Sequence, residues 1–165
     1  MNIDAPLLLH TESVQADWID YNGHMNLAYY VLIFDHATDA FLDYIGITEK
    51  FRKANQASTF AAELHITYEK EVRQGDEVSI KTQLLGFDEK RIHYFHYMYH
   101  KNNDFLVATN ELINLYMDMA ERRVCVMPTK FQDKLRAIQS AHNSLSTPKQ
   151  AGHVIGLQGR SRQEP

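Results

Sequence analysis

The sequence predicts an α+β fold, a long helix packed on an antiparallel sheet, and three observations carry that prediction. Leu27, Tyr30, Val31, Phe34, Thr38, Phe41 and Ile45 recur at spacings of three and four, the period of one apolar stripe on a helix. Beyond residue 58 apolar and polar residues alternate, the period of a strand with one buried face. Clusters of Gly, Asn and Asp separate these runs, so successive strands should turn back on one another as a meander. A helix on one face of an antiparallel sheet is the α+β class. Pattern alone leaves several such folds open, cystatin-like cones among them.

Each element has its own warrant. Residues 7–14 can form an opening strand, leading into a loop over 17–26. Asn22-Gly23 is a turn dipeptide, because both residues tolerate positive φ. The long helix follows and should stop at Gly46, a natural C-terminal residue. Asp35, Asp39 and Asp43 share another helix face, toward water or a partner's basic groups. Residues 47–58 are mixed and polar, a short helix or a loop. The first alternating run is 59–72, with Ala62, Leu64, Ile66 and Tyr68 set against Glu63, His65, Thr67 and Glu69. Gln74-Gly75-Asp76 turns it into 77–85, and Gly86-Phe87-Asp88-Glu89 turns that into the aromatic run 90–100. Lys101-Asn102-Asn103-Asp104 leads to 105–118, and 123–127 adds an edge before Pro128. Thr129 should cap a last helix carrying Phe131, Leu135 and Ile138. One domain over 1–140 and a polar, loosely ordered tail over 141–165 are expected.

Composition narrows the function. With 165 residues, 44% hydrophobic and 23% charged, the chain has the make-up of a globular domain with a real core. Its net charge of −4 argues against a nucleic-acid or anionic-membrane partner. The single cysteine, Cys125, excludes an internal disulfide and fits a reducing cytoplasm. The N-terminus lacks the basic start and apolar run of a signal peptide, and no window suits a membrane helix. A cytoplasmic enzyme or binding protein is the expectation.

The chemistry concentrates in Asp17-Trp18-Ile19-Asp20-Tyr21-Asn22-Gly23-His24-Met25-Asn26-Leu27. A helix N-terminus carries unpaired N–H groups and partial positive charge, suited to a developing oxyanion. Asp20 lies just before that end, and the two together are a minimal kit for acyl transfer. Taken alone, a loop aspartate more often braces a turn. His24 divides evenly between holding the loop shut and lining a pocket, and Asn26 reads as a cap more than a ligand. The nine histidines raise the question of a metal. Strand alternation puts His93 on one face and His96 and His100 on the other, so no metal and no cofactor are expected.

The run Asp20-x-x-Gly23-His24-Met25-Asn26-x-Ala28-Tyr29-Tyr30 resembles the signature of hot-dog-fold acyl-CoA thioesterases, in the branch typified by 4-hydroxybenzoyl-CoA thioesterase. The resemblance continues through Glu63-Leu64-His65-Ile66-Thr67-Tyr68, Gly75-Asp76-Glu77-Val78, Val107-Ala108-Thr109-Asn110-Glu111 and Pro128. Within that branch, Asp17 to Asn26 and Phe34-Asp35-His36-Ala37-Thr38-Asp39 look like the betainyl-CoA thioesterases of carnitine breakdown, a module also fused to L-carnitine dehydrogenases.

The resemblance implies a hot-dog fold, a long helix wrapped by four to six antiparallel strands, and hydrolysis of a small polar acyl-CoA. It implies Asp20 as nucleophile or general base, and the backbone N–H of Leu27 as oxyanion donor. Leu27 replaces an Asn of the common pattern, which a backbone donor survives. The family builds its site between subunits, so a homodimer or homotetramer is expected. Glu63 and the Ser58-Thr59 pair are candidates for the opposing wall. Trp18 and Tyr21 flank Asp20, and aromatic faces bind quaternary ammonium well, as a betainyl group would require. Coenzyme A enters only as part of the substrate; Lys90 with Arg91, and Arg122 with Arg123, are candidates for its phosphates. The contrasting readings are a non-catalytic hot-dog module that binds acyl-CoA or a partner enzyme, and a hydratase, whose longer His–Asp/Glu pattern is not found.

Overall fold

A computed structural model of the chain describes residues 3–157. The order is β1 (Leu7–Ser13), α1 (Leu27–Ile45), α2 (Glu49–Asn55), β2 (Ala57–Tyr68), β3 (Glu77–Phe87), β4 (Arg91–His100), β5 (Leu106–Asp118), β6 (Arg123–Val124) and α3 (Thr129–His142). Among the described residues the strands form one antiparallel sheet in the order β1-β3-β4-β5-β2, with β6 on β5. α1 lies in its concave face and contributes Tyr30, Ile33, Phe34, Ala37, Thr38, Phe41, Leu42 and Ile45 to the interior. The core divides into one cluster around Phe41, Tyr94, Leu112 and Phe131 and another around Phe34, Ile80, Met98 and Ala108.

The class follows the sequence, and several details correct it. The buried arc of α1 is wider than a single stripe, because a curled sheet covers the helix from more than one side. Leu27 falls outside that arc and is 63% exposed. The strands from 59 onward are not a simple meander, since β2 pairs with β5 rather than β3. Residues 69–76 therefore make a crossing instead of a hairpin. This link passes the N-terminal end of α1, where Val72 is fully buried and its carbonyl accepts the Met25 N–H at 2.9 Å. Gly86 and Phe87 belong to β3, whose register shifts between Leu84 and Gly86. The turn falls at Asp88, whose carboxylate accepts the N–H groups of Lys90 (2.8 Å) and Arg91 (2.7 Å). Thr129 opens α3 but does not cap it; Pro128 holds that place with no side-chain bond.

Two polar links tie helix to sheet. His96, fully buried on β4, is held between the hydroxyls of Thr82 (2.9 Å) and Thr38 (3.1 Å). Glu12 takes hydrogen bonds from His10 and His36, each at 2.8 Å, joining β1 to α1. Beyond α3, residues 143–157 run over the outer face of the sheet. Ser146 accepts from Gln83 (3.2 Å), the Gly152 N–H reaches Glu111 (2.7 Å), and the His153 ring stacks on His65 at 5.6 Å. The end of the expected tail, 158–165, lies outside the described residues.

Candidate active site

The loop before α1 is shaped by local bonds. Ile19 and Met25 form an isolated bridge, the Asp20 N–H donates to the His24 carbonyl (3.1 Å), and the Gly23 N–H returns to the Asp20 carbonyl (3.0 Å). Gly23 sits at φ +81°, where a side chain would be strained. One Asp20 carboxylate oxygen accepts the Asn22 N–H at 2.8 Å, so the turn fixes the carboxylate's direction. The turn-bracing reading of Asp20 is thus seen directly, and the braced residue also lines a cleft at the start of α1.

Asn26 caps α1. Its side-chain oxygen accepts from the Ala28 N–H (3.0 Å) and its carbonyl from the Tyr29 N–H (3.1 Å). The Leu27 N–H has no acceptor among the described residues, as expected of one of the first donors of a helix. Asp20, His24, Asn26 and Leu27 line one cleft of about 460 Å³, closed opposite by Tyr68, Lys70 and Glu71. His24 Nε2 lies 3.6 Å from the Glu71 carboxylate. The Tyr68 hydroxyl donates to the Leu27 carbonyl at 3.4 Å, and its ring meets Tyr30 edge-on at 5.2 Å. Burial raises the Tyr30 and Tyr68 hydroxyls above their ordinary range, leaving them neutral donors. A carboxylate, a free helix-end N–H and neutral hydroxyls in one cleft can bind a carbonyl and stabilise charge on its oxygen.

Of the other expected residues, Tyr21 also lines this cleft, 97% exposed, and the rest are placed elsewhere. Trp18 is buried and stacked on Tyr29 at 5.2 Å, so the two do not face each other as a cage. Packing claims the Trp18 ring, because it fills the core beside Met25. Glu63 lines a separate cavity on the outer face with His65, His93 and Glu111. Ser58 and Thr59 line a third, between α1, β2 and β5. Lys90 and Arg91 start β4, at the end of the sheet remote from Asp20. Arg91 is held by Asp88 at 2.6 Å and Lys90 lies 3.6 Å from Glu89. Arg122 and Arg123 are at that same end, where Arg123 pairs with Asp118 in the sheet. One chain therefore does not bring these cations to the Asp20 cleft. Sequence reasoning missed Tyr68, Lys70 and Glu71, because their approach to α1 follows from the crossing after β2, which alternation does not encode.

A long helix inside a curled antiparallel sheet, with a carboxylate at the helix start, defines a hot-dog thioesterase architecture, and the chain belongs to the thioesterase-like superfamily, whose model matches residues 14–135. A betainyl-CoA thioesterase of Pseudomonas aeruginosa is 35% identical over 151 residues, 92% of this chain and 95% of the relative. An L-carnitine dehydrogenase/betainyl-CoA thioesterase of Agrobacterium fabrum is 38% identical over 92% of this chain, which spans 31% of that larger protein. A Staphylococcus aureus protein solved in complex with CoA superposes with a TM-score of 0.87 at 28% identity, covering 96% of this chain and 100% of its own.

Proposed function

We propose that the protein hydrolyses a small polar acyl-CoA, betainyl-CoA foremost, to the free acid and coenzyme A, with Asp20 and Leu27 at the reacting carbonyl. The observation that carries this reading is the pairing, in one cleft, of the Asp20 carboxylate with the unclaimed N–H at the start of α1. The thioester oxygen sits toward the Leu27 N–H, where the helix end stabilises the charge that develops on attack. Asp20 either attacks the carbonyl carbon or takes a proton from the water that does. The C–S bond then breaks and the thiolate leaves as coenzyme A. When water attacks, the free acid forms directly; when Asp20 attacks, water hydrolyses the acyl–Asp20 anhydride and regenerates the carboxylate. The similarity to betainyl-CoA thioesterases along nearly the whole chain favours that acyl group. Coenzyme A is part of the substrate, and no further cofactor takes part. No helix among the described residues is long and apolar enough to cross a membrane, and we place the enzyme in the cytoplasm as a homodimer or homotetramer.

The test is thiol release from a panel of acyl-CoAs by wild type and Asp20→Asn. Asn keeps the size and the bond to the Asn22 N–H but loses basicity and nucleophilicity. We expect kcat to fall by at least about 10²-fold with little change in apparent binding. Near-wild-type turnover by the variant would remove Asp20 from the mechanism. No turnover of any acyl-CoA by wild type would leave a binding module.

A further inference from the structure

A bulge in β1 decides what that strand turns toward α1. Leu7 lies opposite Thr82 and Leu8 opposite Lys81, but His10 lies opposite Ile80 and Glu12 opposite Val78, so Leu9 is the extra residue. Opposite residues of an antiparallel pair share a face, and Thr82, Ile80 and Val78 are fully buried. The bulge therefore sets His10 and Glu12 on the inner face, the one α1 covers. Unbroken alternation from Leu7 would have placed Thr11 and Ser13 there instead. Bulges recur where a side chain has to be re-aimed. Here an imidazole and a carboxylate are aimed at a third donor, His36 of α1. Glu12 Oε2 lies 2.8 Å from both His10 Nε2 and His36 Nδ1. The three donor atoms fall within 4.8 Å of one another, and the two imidazole rings converge with centroids 5.9 Å apart. No lysine or arginine pairs with Glu12 among the described residues.

We infer that His10, Glu12 and His36 form a binding site for a divalent transition-metal ion of the zinc type, which clamps β1 onto α1. With neutral rings, the form in which histidine ligates, the trio carries one negative charge. Two imidazoles and a carboxylate suit zinc and its borderline neighbours, whereas magnesium and calcium take oxygen donors. Zinc bonds of about 2.0–2.2 Å put tetrahedral ligands roughly 3.4 Å apart, so each 2.8 Å contact has to open by only about half an ångström. All three side chains are partly exposed, so the ion enters from solvent and completes its coordination with water. None of the three lines the Asp20 cleft. The clamp therefore acts on stability rather than on the reaction, and it stands whether or not the chain cleaves a thioester. The expectation of no metal weighed His93, His96 and His100. The trio escapes a sequence reading because His36 stands 24 positions after Glu12 and the bulge conceals the inward turn of His10.

The experiment uses the untagged full chain, stripped of metal by chelation and titrated with Co²⁺ and then Zn²⁺. Co²⁺ should develop its visible d–d band and saturate at one equivalent, and Zn²⁺, the tighter binder of the two, should bleach it. Zn²⁺ should also raise Tm, because a metal held by β1 and α1 together favours the folded chain. Glu12→Gln and His36→Gln should each weaken the metal by at least about tenfold and abolish the Tm rise, while His65→Asn, outside the trio, should leave both unchanged. A readout on wild type alone covers the case in which a variant fails to fold. Zn²⁺ should shift the imidazole proton resonances of His10 and His36 and leave those of His65, His93 and His153 in place. Absence of the cobalt band, affinity that survives both trio variants, or shifts confined to the other histidines would overturn the inference and reduce the trio to a hydrogen-bonded tie.

Discussion

At the scale of single residues, His96 shows how burial fixes chemistry. Enclosure in the core disfavours the charged imidazole, with His10 a smaller influence, and pushes its pKa from 6.5 down to about 3. The ring stays neutral, one nitrogen donating and the other accepting between Thr38 and Thr82. In the unfolded chain the same ring takes up a proton near pH 6.5. Its stabilisation is therefore complete above that pH and declines as the pH falls toward about 3. Glu12 adds a second, more acidic limb. Burial raises its pKa, but the hydrogen bonds of His10 and His36 outweigh this and hold it below 4.5, so its contribution is lost as the pH drops beneath that value. Urea midpoints measured from pH 7.5 to pH 4 should fall steadily, and a flat profile would contradict the buried neutral ring. Thr38→Val should cost about 1–3 kcal/mol at neutral pH, since it orphans a ring nitrogen of His96.

Among the elements, α1 governs both core and cleft, and its cap is the sensitive point. Asn26→Ala should lower stability by about 0.5–2 kcal/mol in chemical denaturation. It should also lower kcat, because the loop that aims Asp20 ends at this residue. Asn26→Asp, an equally good cap, should restore the stability. The existence of α1, its end at Gly46 and the cleft-forming Asp20, His24, Asn26 and Leu27 were all legible in the sequence, since each depends on periodicity, a turn dipeptide or a resemblance within a short run. The partner of β2 was not. Alternation says which face of a strand is buried but not which strand lies beside it, and the crossing over 69–76 looks locally like any turn. Tyr68, Lys70 and Glu71 were therefore invisible as cleft residues. Trp18 misled for a related reason, as a loop aromatic gives no local sign of being drawn into the core.

For the whole molecule, the free side of β2 is the feature that asks for a partner. Among the described residues β2 pairs with β5 on one side only, and Phe60, Leu64 and Tyr68 are exposed along it. An open apolar edge of this length invites pairing with a second strand. We expect sedimentation velocity at micromolar concentration to show a dimer or larger. Phe60→Asp should weaken self-association by at least about tenfold. A wild-type monomer would count against a site shared between copies.

The same strand order sets a timetable for the chain as it leaves the ribosome. Ala57 of β2 pairs with Asp118 and Tyr68 with Ala108, so β2 stays without a neighbour until β5 has been synthesised. β1 waits likewise for β3, where Leu7 meets Thr82. α1 and α2, whose hydrogen bonds are local, can form early. Distant pairings close slowly compared with local ones, which leaves Phe60 and Leu64 uncovered on a nascent strand during the interval. Aggregation during expression should therefore start from β2, and pulse-labelled hydrogen exchange on refolding should find its amides among the last to gain protection.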